Sequence, residues 1–349
     1  MADQDIICQR RGAAGHIRLN RPQALNALTL GMVRAIAEAL DAWENDPAVR
    51  CVVVDGAGGK AFCAGGDIRL LYEQGKAGAY AEQRTFWREE YVLNRRIKRY
   101  PKPYVALIDG IDMGGGVGVS MHGSHRIASD GFLFAMPEVG IGFFPDVGAT
   151  YFLPRLPGAF GAYLATTGAR VKAGDACALG LATHYVPSTQ IDALSAALFE
   201  SGAPDDLLAR FAQPAPAAPL MAHRSTVEAC FDKETIAEIL AALDAHESAF
   251  AQDCAAGMGL KSPTSMAIAL KQMRIGAGMT IEEAMTIEYR IVTRIARGHD
   301  FYEGVRATIV DKDKAPRWAP AQTADVDPAA IDAFFAPLPD DLRFDGRSA

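Results

Sequence analysis

Cysteine is scarce in this sequence and never closely paired. Its six residues, Cys8, Cys51, Cys63, Cys177, Cys230 and Cys254, form no C-x-x-C motif, so no zinc ribbon or disulfide frame is expected. Histidine is nearly as sparse. Of seven, only His122 and His125 lie close together, without an H-E-x-x-H arrangement or a nearby carboxylate at ligand spacing, and no metal site is expected. Basic residues form no run longer than Arg95-Arg96-Ile97-Lys98-Arg99, and the net charge is −7. That balance argues against nucleic acid as a partner; the cluster reads as a solvated helix face or a site for a phosphate-bearing small molecule.

The opening Met1-Ala2-Asp3-Gln4-Asp5 is acidic and polar rather than basic then apolar. No secretory or transit peptide is expected, and with free thiols the expectation is a cytoplasmic protein without a membrane partner. Nor do the glycine-rich stretches contain G-x-G-x-x-G, G-x-x-x-x-G-K-[ST] or G-x-S-x-G. The dinucleotide, P-loop and nucleophile-elbow readings therefore fail. Ser120, the nearest approach to an elbow, is followed two positions later by His122 instead of glycine.

What is present is a chain of 349 residues, half of them hydrophobic and 22% charged, long enough to bury a large core in more than one structural unit. Ile6-Ile7-Cys8 and His16-Ile17-Arg18-Leu19 flank a glycine-containing turn and predict a hairpin. Leu30, Val33, Ile36, Ala37, Leu40 and Trp43 share one helical face, which Asp46-Pro47 stops. Cys51-Val52-Val53-Val54 and Tyr104-Val105-Ala106-Leu107-Ile108 read as buried strands, and a helix is expected to start within Gly114-Gly115-Gly116-Val117-Gly118-Val119-Ser120. Strands alternating with helices predict an α/β layering with a mostly parallel core. The Pro/Ala-rich stretch Ala212 to Pro219 reads as a semi-extended connector, after which the patterns are helical. The stripe Ile281, Ala284, Met285, Glu288, Ile291, Val292 and Ile295 is assigned to core packing.

Chemistry concentrates in three places. Phe62-Cys63-Ala64-Gly65-Gly66-Asp67-Ile68 and Met113-Gly114-Gly115-Gly116 follow predicted strands and can present bare backbone N–H groups to a negatively charged oxygen, as an oxyanion hole does. Shortly after comes Met136 to Gly148, an apolar segment with Glu138 and Asp146 eight positions apart. Carboxylates in apolar surroundings are either rescued by partners or poised to exchange protons near neutrality. A helix cap and a turn residue are the bland alternative for this pair.

These stretches, with Asn20-Arg21-Pro22-Gln23-Ala24-Leu25-Asn26-Ala27-Leu28 and Pro137-Glu138, resemble the successive signatures of the crotonase (enoyl-CoA hydratase/isomerase) superfamily. Phe86 to Tyr91, Phe143 to Gly148, Tyr151 to Leu156, Asp300 to Arg306 and Asp311-Lys312-Asp313 resemble its acyl-CoA thioester hydrolase branch. The resemblance spans roughly residues 6 to 318. It implies a crotonase-like (ClpP/crotonase) α/β spiral of ββα units in residues 1–200 and a mainly helical C-terminal region in 201–349. It implies hydrolysis of a short-chain 3-hydroxyacyl-CoA thioester, with enoyl-CoA hydration or isomerisation as the alternative activity.

Carried over by position, the Gly66 and Gly115 N–H groups would form the oxyanion hole, and Glu138 and Asp146 the catalytic pair. Glu90 would line the acyl pocket and accept a hydrogen bond from the substrate hydroxyl, while the backbone around Ala24, Leu25, Ala64, Asp67 and Ile68 would hold coenzyme A. Coenzyme A belongs to the substrate in this resemblance, so no separate cofactor is implied, and a homo-oligomer is left open. One position departs from the hydratases, which place a second glutamate where this chain has Gly118.

Overall fold

The structure, a computed structural model, describes residues 5–344. Residues 1–4, in the acidic opening, and 345–349, at the end of the helical region, lie outside the described residues. The predicted hairpin is present as β1 (Ile6–Arg11) and β2 (Ala14–Leu19), paired antiparallel. Helix α1 (Leu30–Glu44) starts where the Thr29 hydroxyl accepts the Met32 N–H, and it buries Met32, Val33, Ile36, Leu40 and Trp43.

Three successive units then each give one strand to each of two sheets. They are β3 (Cys51–Gly56) with β4 (Ala61–Cys63), β5 (Tyr104–Ile108) with β6 (Ile111–Met113), and β7 (His125–Ala128) with β8 (Leu133–Ala135). With β9 (Val171–Lys172) and β10 (His184–Tyr185), the larger sheet has the order β1-β2-β3-β5-β7-β10 and the smaller β4-β6-β8-β9. β3, β5 and β7 run parallel, as do β4, β6 and β8. Val52, Val53, Val54, Val105 and Ala106 have no exposed surface, which is why these strands read as continuous apolar runs rather than alternating ones. The result is the expected α/β spiral of ββα units.

The smaller sheet positions the site. Each of its parallel strands ends in a loop that opens a helix: α2 (Ile68–Lys76) after β4, α4 (Gly115–Ser120) after β6, and a 3₁₀ turn, Glu138–Ile141, after β8. Carboxyl ends of adjacent parallel strands are the usual place for a ligand crevice in α/β sheets. A long helix, α3 (Tyr80–Arg99), lays Phe86, Trp87, Glu90, Tyr91, Asn94 and Ile97 along one buried face.

From Ser188 onward the described residues contain helices and loops but no named strand. The connector is irregular as predicted, though pinned: Gln213 donates its N–H to the Tyr185 carbonyl. One continuous cluster of buried side chains joins Ile17, Val54 and Phe134 to Ile268, Tyr289 and Leu342. The C-terminal helices therefore complete the core of the spiral. Among the described residues, no helix is long and apolar enough to cross a membrane.

Candidate active site

The two glycine loops meet face to face. Leu28 donates to the Gly65 carbonyl and accepts from the Asp67 N–H, bridging to Gly66 through that residue's neighbours. The Gly66 N–H is thus turned to the other side of the chain. Gly115 is the first residue of α4, where a helix leaves its N–H groups without intrahelical acceptors. A methyl placed on Gly115 would lie 3.1 Å from the Gly66 nitrogen, so the two donors border one small space, the geometry that an oxyanion requires.

That space opens into a cavity of about 450 Å³ lined by Ala64, Gly66, Ile68, Glu90, Gly115, Glu138 and Asp146 among others. Seven of the ten residues singled out from the sequence are thereby brought together. Ala24, Leu25 and Asp67 stand outside this wall. Ala24 ends a short 3₁₀ turn, Leu25 is a half-exposed left-handed residue whose carbonyl accepts the Ala64 N–H, and Asp67 caps α2 and binds Arg21 at 3.1 Å.

Both carboxylates sit at turns, Glu138 at the start of the 3₁₀ turn and Asp146 where its carbonyl accepts the Ala149 N–H, but their side chains face the cavity. Glu138 opens the 3₁₀ turn, its carboxylate reaching its own backbone N–H while its Oε2 is buried without a protein partner. Asp146 accepts the Tyr91 hydroxyl at 2.8 Å through Oδ2. Glu90 lies one residue before Tyr91 on α3, and its Oε1 is likewise buried and unpartnered. Burial therefore sets the electrostatics. Desolvation pushes the Asp146 carboxyl up to about 7, against the Tyr91 hydrogen bond. Glu138 and Glu90 are held well above the usual carboxylate range by burial first and the charge of Asp146 second. A carboxyl near neutrality can both take and give a proton at physiological pH.

These shifts make the site a stability burden. An acid whose folded pKa is raised favours the folded state below its unfolded value and loses that advantage as pH rises through the folded one. For Asp146 the loss falls between about 4 and about 7. Asp146→Asn is expected to raise the melting temperature at pH 8 by about 2 °C or more, with the gain shrinking towards pH 4. Calorimetry at the two pH values checks this, and an equal shift at both would refute the electrostatic cause.

The cavity's remaining walls come from distant parts of the chain. Trp87 and Phe143 stack with ring centroids 5.8 Å apart, and the C-terminal region contributes Leu260, Lys261, Thr308, Ile309, Lys314 and Pro316. Thr308 and Ile309 sit in a π-helical turn, Arg306–Val310, just after the Asp300 to Arg306 motif. Arg306 ties that motif to the next by binding Glu303 at 2.9 Å, Asp311 at 2.7 Å and Asp313 at 2.6 Å. Sequence reasoning assigned the Glu288 stripe to packing alone. The structure shows its carboxylate accepting the Gly148 and Thr150 N–H groups at 2.7 and 2.9 Å. A carboxylate inside an apolar stripe was the available signal, since such a group needs buried donors.

Other candidates find structural roles. Ser120 donates to Asp112 at 2.6 Å, and His122 and His125 bind different partners, the Val147 carbonyl and Asp205. The basic cluster of α3 is engaged in ion pairs: Arg95 and Arg99 with Glu282, Arg96 with Glu44. Gly118 is closed off. A methyl there would meet the Asn94 amide at 2.7 Å and the Val147 Cβ at 2.9 Å, so no side chain can enter the cavity from that position. Gly118→Ala is expected to cost about 1–3 kcal/mol of stability through overpacking, and Gly118→Glu to yield no folded protein. Denaturant melts check the first and soluble yield the second.

Comparison with known proteins gives the same outline. A family model described as enoyl-CoA hydratase/isomerase matches residues 14–335. The chain is 45% identical over 346 residues to "3-hydroxyisobutyryl-CoA hydrolase, mitochondrial" of Xenopus tropicalis, covering 96% of this chain and 90% of the relative. It is 43% identical to the Homo sapiens protein of the same name, covering 98% and 92%. Among solved structures, a carnitinyl-CoA dehydratase from Mycobacterium thermoresistibile superposes with a TM-score of 0.95 at 45% identity, covering 99% of this chain and 100% of that one. An enoyl-CoA hydratase from Rhodobacter sphaeroides 2.4.1 gives 0.92 at 41% identity, covering 98% and 100%.

Proposed function

The chain belongs to the enoyl-CoA hydratase/isomerase family, and from that premise we propose that the cavity between the two glycine loops cleaves an acyl-CoA thioester. The protein hydrolyses 3-hydroxyisobutyryl-CoA to 3-hydroxyisobutyrate and coenzyme A, as do relatives 43–45% identical over nearly the whole chain by their names. We place this reaction in valine catabolism. The observation that carries the reading is the pairing of two buried carboxylates, Glu138 and Asp146, with the Gly66 and Gly115 donors in one cavity.

The thioester carbonyl sits against the Gly66 and Gly115 N–H groups. A water oxygen adds to the carbonyl carbon as Glu138 takes its proton, and the charge that develops on the carbonyl oxygen is stabilised by the two donors. Alternatively Glu138 adds to the carbon itself, giving a mixed anhydride that water opens. In both routes the C–S bond breaks and the thiolate leaves with the electron pair. Asp146, near neutrality, exchanges protons with the intermediate, and Tyr91 fixes its orientation. Glu90 lies where a substrate hydroxyl could donate to it.

In this reading coenzyme A is part of the substrate and no separate cofactor takes part. Residues Ala64 and Ile68 border its acyl end, with Ala24, Leu25 and Asp67 further out along the bound carrier. With all six cysteines free, the reading places the reaction in a reducing compartment, the cytosol. Two solved structures carry hydratase and dehydratase names, which keeps hydration as the second reading. A thiol-release assay over a panel of acyl-CoA esters, beside loss of conjugated absorbance from crotonyl-CoA, separates the two. Thiol release fastest with 3-hydroxyisobutyryl-CoA is expected; absorbance loss without thiol release would overturn the assignment.

A further inference from the structure

The segment carrying Asp146 has an unusual backbone. Val147 has φ +51° and Gly148 φ +91°. A β-branched residue in the left-handed region costs on the order of 1–3 kcal/mol and persists only where its surroundings over-determine it. Three buried side chains do so. Gln272 donates Nε2 to the Pro145 carbonyl at 2.9 Å and to the Thr150 hydroxyl at 2.7 Å. His122 donates Nε2–H to the Val147 carbonyl at 2.7 Å, and burial keeps its ring neutral with a pKa near 4. Glu288, wholly buried on the helix Ile281–Ile295, accepts the Gly148 N–H on one oxygen and the Thr150 N–H on the other. Glu288 itself does not line the cavity.

We propose that Glu288 is a positioning residue for the hydrolysis: by capturing the Gly148 and Thr150 N–H groups it holds Val147 left-handed and so fixes Asp146 against Tyr91 and beside Glu138. A glutamate side chain presents two acceptor oxygens to two diverging N–H groups, and these bonds favour its ionised form against the burial that pushes the carboxyl up to about 8. Glutamine offers one acceptor and turns a donor towards the other N–H, and an apolar residue leaves both orphaned in a site closed to solvent. The role rests on the hydrolase reading for its consequence, and on backbone geometry alone for its cause. It gives the helical C-terminal part a second contribution to the site beside the cavity walls it supplies.

The test is Glu288→Gln, assayed with 3-hydroxyisobutyryl-CoA well below its melting temperature. The expected result is a fall in kcat of about tenfold or more with KM within about twofold, the pattern of lost transition-state positioning. Adding Val147→Gly should then restore kcat by about threefold or more, because glycine takes the left-handed conformation freely. The same change should lower the melting temperature by removing a buried isopropyl group. Turnover rising while stability falls is a result that a merely structural role does not give. Wild-type kcat in Glu288→Gln, or no recovery on adding Val147→Gly, would overturn the proposal.

Should Glu288→Gln fail to fold, Glu288→Asp keeps the carboxylate but shortens its reach to the Gly148 and Thr150 N–H groups; a kcat reduced about threefold or more at constant KM is expected, and unchanged kcat counts against. A crystal structure of Glu288→Gln, or of Glu288→Asp if that is the variant that folds, supplies a readout independent of substrate. Displacement of the Asp146 carboxylate beyond hydrogen-bond reach of Tyr91 supports the proposal, and an unchanged 2.8 Å contact refutes it. If the wild-type protein releases no thiol, the hydrolase reading fails while this structural outcome still decides the inference.

Discussion

Replacing Glu138 by glutamine is expected to lower thiol release from 3-hydroxyisobutyryl-CoA by at least about a hundredfold, and Asp146→Asn to do the same, the usual scale for a lost acid or base. The amide keeps the volume and part of the polarity of each carboxylate, so the fold is retained. Glu138 has the stronger claim, because its Oε2 is buried with no protein partner to occupy it, whereas Asp146 is already engaged by Tyr91. Steady-state assays of both variants check the pair, and near-wild-type turnover in both would remove the carboxylates from the mechanism. Single-turnover hydrolysis in labelled water then divides the routes. Label incorporated into Glu138 identifies the anhydride; label confined to the product identifies direct attack by water.

The second large effect concerns a residue with no side chain. Gly115→Ala puts a methyl 2.7 Å from Glu90 Oε1 and 3.1 Å from the Gly66 nitrogen, in the space where the carbonyl oxygen would be held. Loss of access to one oxyanion donor costs about 3–4 kcal/mol of barrier in comparable sites, so turnover is expected to fall by at least about a hundredfold. Helix α4 itself should not suffer, since alanine is a better helix former than glycine. Unchanged circular dichroism with lost activity is the signature. Full activity in Gly115→Ala would show that the two glycine loops are turns and nothing more.

Much of this site was legible because its parts announce themselves by type. Gly65-Gly66 and Gly114-Gly115-Gly116 follow strands, and backbone donors near a negatively charged oxygen need residues without side chains. Glu138 and Asp146 stand out because a carboxylate in an apolar run demands an explanation. The absence of glutamate at Gly118 was equally readable, but its reason was not. The Asn94 amide and the Val147 side chain that fill that space come from positions 24 residues before and 29 after it in the numbering, and no local pattern encodes their approach.

The basic cluster of α3 shows the opposite limit. Its spacing fitted a phosphate site as well as a helix face, and only the arrival of Glu282 and Glu44 from other helices decided for ion pairs. Glu288 was correctly placed on a buried face, but its backbone partners were missed for a related reason. Helical periodicity reports which face of Ile281–Ile295 is buried, not which backbone N–H groups face it there.

By itself, then, the sequence determined the alternation of strands and helices, the glycine loops and the identity of the two carboxylates, because periodicity and residue type act over a few positions. The tertiary structure alone decided that the loops after β4, β6 and β8 converge. It alone decided that burial moves Asp146 to about 7, and that helices more than a hundred residues away hold its backbone in place. Those outcomes depend on desolvation and on donors brought together through space, and both are properties of the packed chain rather than of any segment of it.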